Sequence, residues 1–467
     1  MSDATGSFDA RERVLVIGLG RSGIASCAVL RARGATVFAT DEKSPEALAA
    51  TIAELERSGV RFVAPDALEG VLAEITSAVV SPGVPLNNDL VRRVQAARVS
   101  VFSEIEVAYR ISKAPMVAIT GTKGKTTTTA LVGALFARAG KAVRVGGNIG
   151  NALINETFVA TPDEWVVAEV SSFQLESIRS FKPRVSAILN LSPDHLDRYH
   201  SMDEYAEAKF RIFANQGAGD TFVGNLDDPI VGTLAEGEPA KRIPARAVWF
   251  GFEPRRATAL YVRDERIIYA PWSGDPRPVE IMPLSEIPLP GRHNVGNVLA
   301  ALAMGLAAGL DPEALRAGVR DFVPLPHRLQ RIGERDGVMF VDDSKSTNPG
   351  SVVAALETFA APVVLIAGGK SKRTDFRAMG AAIEKYAKAV VLIGEAADEI
   401  ASTIASRPVS RAVSMDDAVA QARELAAPGD VVLLSPGCAS FDMFASAEAR
   451  GDAFASAALG VTAAHGR

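Results

Sequence analysis

Short apolar runs alternate with amphipathic stretches along the chain, and most runs lead into a loop rich in glycine or polar residues. The first cycle has a strand-like run at residues 14–17, a glycine-containing turn, a helix-like stretch to Arg33 and a second strand-like run at residues 36–40. Such alternation predicts parallel sheets covered by helices, with ligands bound at the carboxyl ends of the strands. We therefore expect an α/β protein.

Later parts of the chain repeat this cycle. Further strands are predicted at residues 79–80, 116–119, 164–168, 185–191, 338–341, 362–367, 389–393 and 430–434. The turn residues 264–266 lie between two apolar runs and predict a hairpin. Apolar residues recur at helical spacing between Val295 and Leu306, which predicts a buried helix.

Two changes of pattern suggest domain boundaries. A new α/β segment begins near residues 103–115, and the Val323-Pro324-Leu325-Pro326 stretch is a stiff connector. A chain of 467 residues also has room for about three domains. We therefore expect domains at residues 1–104, 105–324 and 325–467, each with a mainly parallel sheet.

Composition narrows the functional class. Hydrophobic residues make up 48% of the chain, which allows large cores, and the net charge of −5 argues against a nucleic-acid binder. Two distant cysteines, Cys27 and Cys438, favour a reducing compartment over a disulfide framework. Residues 1–10 lack a signal pattern, and the longest apolar run is too short to span a bilayer. We expect a cytoplasmic protein without membrane insertion.

The most informative loop follows the apolar run at residues 116–119 and reads Thr-Gly-Thr-Lys-Gly-Lys-Thr-Thr. Its glycines allow backbone N–H groups to surround phosphate oxygens, Lys125 would neutralise the phosphates, and Thr126 could bind Mg²⁺. The strict phosphate-loop pattern has a glycine where this chain has Ile119. The loop predicts a nucleoside triphosphate site, and a plain surface turn is the alternative.

A second glycine-rich loop, Gly18-Leu19-Gly20-Arg21-Ser22-Gly23, matches the dinucleotide fingerprint, with Asp41 about 20 positions later. Taken alone, this loop favours an NAD site. The alternatives are a site for another diphosphate, or a tight turn without a ligand. An NAD enzyme has no need of the Lys-Thr loop with acids and a histidine suited to Mg²⁺. We therefore expect a nucleotide-diphosphate substrate on the first domain and Mg·ATP on the second.

Three further polar residues are candidates for this chemistry, each with an ordinary alternative. Glu169 ends a buried strand and fits a magnesium ligand, or a core glutamate paired with a base. His195 fits a metal ligand, or a histidine whose hydrogen bonds are made within the fold. Lys209 has apolar neighbours on its helix, and such a lysine is usually a surface residue.

Seven short motifs then suggest a family. They lie at residues 121–126, 146–150, 169–176, 190–198, 291–294, 326–328 and 343–348. With these motifs, essentially the whole chain resembles the Mur ligases, the ATP-dependent amide-forming enzymes of peptidoglycan precursor assembly. Residues 171–176 and 435–442 are most similar to the member that adds D-glutamate, and the Asp-Asn-Pro-Arg signature of the relative that adds diaminopimelate or lysine is absent from the sequence.

This resemblance implies an activity and a fold. The activity is ligation of D-glutamate to UDP-N-acetylmuramoyl-L-alanine, with ATP and Mg²⁺, through an acyl phosphate. The fold has a Rossmann-like N-terminal domain, a central ATPase domain of the P-loop type and a Rossmann-like C-terminal domain. The expected partners are these small molecules, without nucleic acid, and the expected state is a monomer.

The resemblance also implies roles for individual residues. The catalytic residues would be Lys125, His195, Lys209 and Glu169. ATP would contact Gly121, Thr122, Lys123, Gly124, Lys125, Thr126, Thr127, Thr128, Asn294, Asn297, Arg328 and Asp343. The metal ligands would be Thr126, Glu169, His195 and Lys209, the last as a carbamate.

Substrate contacts are implied in the same way. The UDP-sugar would contact Gly20, Asp41, Ser81, Asn148, Ser171 and Gln174. D-Glutamate would contact Thr347, Lys372, Ser440 and Phe441. Two positions depart from the family pattern, since Lys123 replaces a common asparagine and Ala447 lies where a bulkier residue is expected near the amino-acid pocket.

Three alternatives remain open from the sequence. The nearest is another Mur-family enzyme or an amide ligase of the folylpolyglutamate type. The others are an NAD-dependent oxidoreductase built on the first loop, and a nucleotide sensor without catalysis.

Overall fold

The computed structural model describes residues 8–194, 198–255, 257–271, 277–371 and 374–460. The chain forms two compact units, one of residues 1–287 and 296–322, the other of residues 288–295 and 323–467. The first unit contains two sheets and the second contains one. None of the described helices is long and apolar enough to cross a membrane.

The first sheet has five parallel strands in the spatial order β3-β2-β1-β4-β5. Its strands are β1 (Arg13–Ile17), β2 (Thr36–Thr40), β3 (Arg61–Phe62), β4 (Ser77–Val80) and β5 (Ser100–Ser103). The helices of this region are α1 (Arg21–Ala32), α2 (Ala49–Arg57), α3 (Glu69–Leu72), α4 (Asp89–Ala96) and α5 (Glu104–Ile111).

The second sheet has nine strands in the order β14-β13-β12-β11-β10-β9-β6-β8-β7. They are β6 (Met116–Thr120), β7 (Val143–Gly147), β8 (Trp165–Glu169), β9 (Val185–Ile188), β10 (Thr221–Asn225), β11 (Arg246–Phe250), β12 (Thr258–Arg263), β13 (Arg266–Tyr269) and β14 (Val279–Pro283). Only the pairings of β13 are antiparallel among the described strands of this sheet.

The helices that follow in the chain are α6 (Lys125–Arg138), α7 (Leu153–Val159), α8 (Ser172–Leu175), α9 (Met202–Phe210), α10 (Gly237–Ala240), α11 (Arg292–Ala307) and α12 (Pro312–Arg320). Short 3₁₀ turns lie at Pro65–Ala67, Arg211–Phe213, Val231–Ala235 and Leu284–Glu286. One continuous core joins the two sheets of this unit, because apolar residues of α1, α5, α7 and β8 pack in the same cluster. The loops at the strand ends of both sheets are therefore held in one body.

The second unit has a six-stranded sheet in the order β15-β16-β20-β17-β18-β19, in which only β15 is antiparallel to its neighbour. The strands are β15 (Gln330–Arg335), β16 (Val338–Asp342), β17 (Val363–Gly368), β18 (Ala387–Ile393), β19 (Val409–Arg411) and β20 (Val431–Leu434). The helices are α13 (Pro349–Leu356), α14 (Arg377–Tyr386), α15 (Ala397–Ala401), α16 (Met415–Leu425) and α17 (Ala447–Leu459).

These three mainly parallel sheets confirm the predicted α/β class. The hairpin is confirmed as well, with Arg263 paired to Arg266 and a turn at Asp264 and Glu265 that has positive φ angles. One strand was predicted too long, because β9 ends at Ile188 and the following residues form a loop. The two units do not separate the first sheet from the second, and the domain boundaries at residues 104 and 324 stay predictions.

Candidate active site

The loop between β6 and α6 needs glycine at two positions. Gly121 and Gly124 have φ angles of +153° and +80°. A Cβ atom on Gly124 would lie 2.3 Å from Oδ1 of Asn297, so the Asn297 side chain packs closely against this loop. Only glycine permits both the backbone conformation and this close approach.

Asn190 stabilises the same loop from the end of β9. Its backbone carbonyl accepts a hydrogen bond from the N–H of Thr122 at 2.9 Å, and its Oδ1 accepts one from the N–H of Lys123 at 2.8 Å. The Lys125 ammonium donates to the carbonyls of Gly121 and Thr122, each at 2.9 Å. The positive charge of Lys125 is therefore held over the loop, where an anionic ligand would be attracted.

Lys209 lies beneath the loop rather than on the surface. Its side chain is buried, its Nζ donates to the carbonyl of Gly121 at 2.9 Å, and Nζ is 4.8 Å from the centre of the Tyr205 ring. Burial lowers the pKa of Lys209 well below its usual value, and the nearby charge of Lys125 lowers it further. The alternative of a surface lysine is therefore wrong.

Glu169 is the last residue of β8, beside this loop, and it is only 2% exposed. Its Oε1 accepts a hydrogen bond from Nδ2 of Asn148 at 2.9 Å, whereas its buried Oε2 has no hydrogen-bond partner. A buried carboxylate oxygen without a donor is costly unless a cation or a proton satisfies it. This oxygen fits a hard cation such as Mg²⁺, which prefers oxygen ligands.

No set of three histidine, cysteine, aspartate or glutamate side chains within the described residues is arranged to bind a metal by itself. Two predicted site residues, His195 and Lys372, lie outside those residues. Thr126, Thr127 and Thr128 begin α6, and the hydroxyl of Thr128 is buried without a hydrogen-bond partner.

A cavity of about 330 Å³ lies beside the phosphate loop. Lys125, Lys209 and Asn148 line it from the second sheet, and Pro82 and Gly83 line it from the loop after β4 of the first sheet. The cavity therefore joins the strand ends of both sheets within this unit. A ligand held by the first sheet could reach the phosphate loop there.

Two of the predicted UDP-sugar residues, Asn148 and Ser171, line this cavity. Gln174 is buried, and its Oε1 accepts hydrogen bonds from the N–H and the hydroxyl of Ser171, so it orients that residue. Gly20, in the loop between β1 and α1, is exposed directly before the helix begins.

Two other residues predicted to contact the UDP-sugar stabilise the first glycine-rich loop. Oδ2 of Asp41 accepts a hydrogen bond from the N–H of Leu19 at 2.6 Å. The hydroxyl of Ser81 donates to the carbonyl of Gly18 at 2.7 Å. Asp41 and Ser81 therefore set the shape of this loop.

In the second unit, Asp343 follows β16 and is buried. Its carboxylate accepts hydrogen bonds from the hydroxyl of Ser435 at 2.8 Å and from the N–H of Leu329 at 3.2 Å. Burial raises the pKa of Asp343 to about 6, although these hydrogen bonds lower it. Arg328, the predicted ATP contact, lies between two residues with positive φ angles, His327 and Leu329.

Three of the predicted D-glutamate residues, Thr347, Ser440 and Phe441, lie in two loops of this unit that contact each other. The N–H of Gly437 donates to the carbonyl of Ser346 at 2.9 Å, which joins the loop of Thr347 to the loop of Ser440. Ser440 is buried, whereas Phe441 is 73% exposed. An exposed aromatic ring beside a strand-end loop is suited to contact a ligand.

Sequence reasoning missed the residue that holds these loops. Arg450 of α17 is fully buried and donates to the Ser344 hydroxyl at 3.0 Å, the Ser344 carbonyl at 2.8 Å and the Cys438 carbonyl at 3.1 Å. Burial lowers the pKa of Arg450 to about 10. Its sequence neighbours are ordinary helix residues, so no local pattern could have indicated this role.

The two asparagines of α11 are both buried. Nδ2 of Asn294 donates to the carbonyl of Pro290 at 2.7 Å, and Asn297 packs against Gly124 of the phosphate loop. Asn297 is therefore close to the proposed nucleotide site in its unit.

Three family models match consecutive parts of the chain. They are a MurD-like N-terminal domain of Mur ligases at residues 12–103, a Mur ligase middle domain at residues 119–305, and the glutamate ligase domain of Mur ligases at residues 327–438.

Curated relatives match over nearly the whole chain. The UDP-N-acetylmuramoylalanine–D-glutamate ligase of Pelotomaculum thermopropionicum is 43% identical over 95% of this chain and 96% of its own length. The enzyme of the same name from Caldanaerobacter subterraneus subsp. tengcongensis is 39% identical over 96% of this chain and 98% of its own length. A solved MurF ligase from Thermotoga maritima in complex with ADP has the same fold, with a TM-score of 0.58, 16% identity and 98% coverage of each chain.

Proposed function

Because this chain belongs to the Mur ligase family, we propose that it is an ATP-dependent enzyme that joins D-glutamate to UDP-N-acetylmuramoyl-L-alanine in peptidoglycan synthesis. The similarity to curated D-glutamate ligases over 95% or more of the chain carries this conclusion. The MurD-like model over residues 12–103 favours this member over other amide ligases of the family.

The reaction needs activation of a carboxylate. A carboxylate resists attack by an amine because its charge repels the nucleophile and oxide is a poor leaving group. We propose that the terminal carboxylate of the acceptor attacks the γ-phosphorus of ATP and gives an acyl phosphate and ADP. The amine of D-glutamate then attacks the acyl carbon, and inorganic phosphate leaves with the bridging oxygen.

The residues at the cavity support this order of events. The Lys125 ammonium, the N–H groups of the loop and the N-terminus of α6 supply positive potential where phosphate charge develops. The opening of the cavity to Pro82 and Gly83 supports an acceptor held on the first sheet with its reactive end near Lys125. Positioning both reactants in one site contributes to the rate because it avoids the entropic cost of their encounter.

Glu169 and Thr126 would hold Mg²⁺, with His195 and carbamylated Lys209 as further ligands proposed from the family resemblance. The ion would neutralise charge on the transferring phosphoryl group. The unpartnered Oε2 of Glu169 supports this assignment. Asn148 would hold the carboxylate in place through its hydrogen bond to Oε1.

The remaining contacts follow the family. Asn294, Asn297, Arg328 and Asp343 would contact ATP, and Thr347, Lys372, Ser440 and Phe441 would receive D-glutamate. We further propose that the enzyme works in the cytoplasm as a monomer, where it takes small-molecule substrates, does not bind nucleic acid and does not insert into a membrane.

A coupled assay tests the function. Phosphate release is measured with UDP-N-acetylmuramoyl-L-alanine, ATP and a panel of D- and L-amino acids, and D-glutamate should give the fastest release. Acceptor labelled with ¹⁸O in its carboxylate should transfer label to the released phosphate. Preference for another amino acid would contradict the assigned substrate, and absence of label in phosphate would contradict the acyl phosphate.

A further inference from the structure

The carboxylate of Glu176 accepts hydrogen bonds from two consecutive residues, Arg198 and Tyr199, next to the cavity. Oε2 of Glu176, at the end of α8, accepts a hydrogen bond from Nη2 of Arg198 at 2.7 Å. Its Oε1 accepts a hydrogen bond from the Tyr199 hydroxyl at 2.6 Å. The side chains of Glu176 and Arg198 are only 16% and 17% exposed, so both are held in this geometry.

Both partners of Glu176 pack on the same aromatic ring. The guanidinium carbon of Arg198 is 3.9 Å from the centre of the Phe173 ring. The Tyr199 ring stacks with Phe173 at a centroid distance of 5.9 Å and an interplanar angle of 23°. Phe173 is therefore held by two planar groups, and one acid orients both of them.

Phe173 lines the cavity that also contains Lys125 and Lys209. The other aromatic residue there, Tyr205, has its hydroxyl 3.1 Å from Oγ1 of Thr122, so its polar end belongs to the phosphate loop. Among the described lining residues, Phe173 is the large side chain without a polar atom. It is the apolar wall against which a small hydrocarbon group could pack.

We propose that Phe173 determines which side chain is accepted on the terminal residue of the acceptor, and that Glu176 is the positioning residue that holds Phe173 through Arg198 and Tyr199. This inference rests on the proposed function. The reacting carboxylate must approach the phosphate at Lys125, so the side chain on the same residue must lie in the same cavity. A wall at a fixed position would favour a methyl group and disfavour larger groups.

The test compares kcat/KM for three UDP-muramoyl acceptors that end in glycine, L-alanine or L-valine. The wild-type enzyme should prefer L-alanine. In Phe173→Ala, the preference for L-alanine over L-valine should fall by about tenfold, the range expected for one or two methylene groups in an apolar pocket. Glu176→Gln should move the ratio in the same direction by a smaller factor, because the ring loses its fixed position.

The chain provides a matched control. Arg242 donates to both oxygens of Glu207, at 2.8 and 2.6 Å, and its guanidinium carbon is 5.2 Å from the centre of the Phe210 ring. This glutamate–arginine–phenylalanine group does not line the cavity. Glu207→Gln should leave the acceptor ratio unchanged, so a shift in Glu176→Gln would be specific to the ring that lines the site.

Each outcome has a defined meaning. If Phe173→Ala lowers kcat/KM equally for all three acceptors, the inference is wrong. If that variant fails to fold, as judged by its circular dichroism spectrum, Phe173→Leu replaces it, and an unchanged ratio there overturns the inference in the same way. If the wild-type enzyme releases no phosphate with the L-alanyl acceptor, the proposed function itself fails.

Discussion

Lys125 has its positive charge fixed before any ligand arrives. Its ammonium is held by the carbonyls of Gly121 and Thr122, so its position follows from the shape of the loop. Preorganised charge of this kind needs no rearrangement when phosphoryl transfer begins. The contribution of Lys125 should therefore appear mainly in the rate of the chemical step.

We expect Lys125→Ala to lower kcat by about 10² to 10³ or more, the usual cost of losing a group that stabilises transition-state charge. The thermal transition should move little, because the side chain is only partly buried. Lys141→Ala is the control, since Lys141 is an exposed lysine in the loop that follows α6. Turnover of Lys125→Ala close to that of the control would refute the role of Lys125.

The proposal that Glu169 binds Mg²⁺ predicts how the rate of phosphate release depends on the Mg²⁺ concentration. We expect Glu169→Gln to need at least about tenfold more Mg²⁺ for half-maximal phosphate release, because an amide oxygen binds a hard cation less well than a carboxylate does. The measurement is a Mg²⁺ titration at saturating substrates. An unchanged midpoint would show that the unpartnered oxygen faces something other than the ion.

At the scale of elements, α5 connects the first sheet to the second and begins with a buried acid. Oε1 of Glu104 accepts a hydrogen bond from the N–H of Ile154 at the start of α7, whereas its buried Oε2 has no partner. Burial raises the pKa of Glu104 from 4.5 to about 7, although the Ile154 hydrogen bond and Arg21 lower it. This junction between helices therefore contains an acid that resists ionisation.

The raised pKa of Glu104 makes stability depend on pH. Between pH 4.5 and about 7, the folded chain keeps a proton that the unfolded chain has lost, so the contribution of Glu104 to stability falls as the pH rises through this window. Above it, we expect Glu104→Gln to raise the free energy of unfolding by up to about 3 kcal/mol. Urea unfolding at about pH 5 and about pH 8 tests this, and Glu207→Gln is the control. A gain of the same size at both values would contradict the assignment.

The buried parallel strands were the most predictable elements. The apolar runs before Gly121 and Asp343 form β6 and β16, as predicted. A strand buried on both faces needs continuous apolar residues, and such a run is visible in the local sequence. The Ser-x-x-Glu pattern at residues 201–204 is typical of a capping box, and the structure has half of it. The Ser201 hydroxyl accepts the N–H of Glu204, but the Glu204 carboxylate accepts the N–H of His200 instead of that of Ser201.

Other features of the site could not be predicted from local sequence. The burial of Lys209 depends on the packing of α9 under a loop that is 88 residues away in the chain. The aromatic wall at Phe173 depends on partners more than 20 residues later. Such contacts arise from the tertiary arrangement, and short periodic patterns carry no signal for them.

At the scale of the whole molecule, we predict a monomer with a mass of 49.1 kDa. Large apolar side chains exposed among the described residues occur singly or, at Phe158 and Val159, as one adjacent pair along the sequence. A stable dimer usually needs a larger apolar patch. Analytical ultracentrifugation over a range of concentrations tests this, and a concentration-independent species of twice the mass would contradict it.

The buried guanidinium of Arg450 also bears on biosynthesis. Arg450 lies 106 residues after Ser344 in the chain, and it donates hydrogen bonds to the hydroxyl and the carbonyl of Ser344. Chains emerge from the ribosome with the amino terminus first, so earlier regions can fold while later ones are still being translated. The loops around Ser344 and Cys438 must wait for the last helix before they acquire this internal support. A nascent chain that stalls before α17 would thus have every strand of its final sheet, yet it would lack the arginine that fixes the two loops to each other.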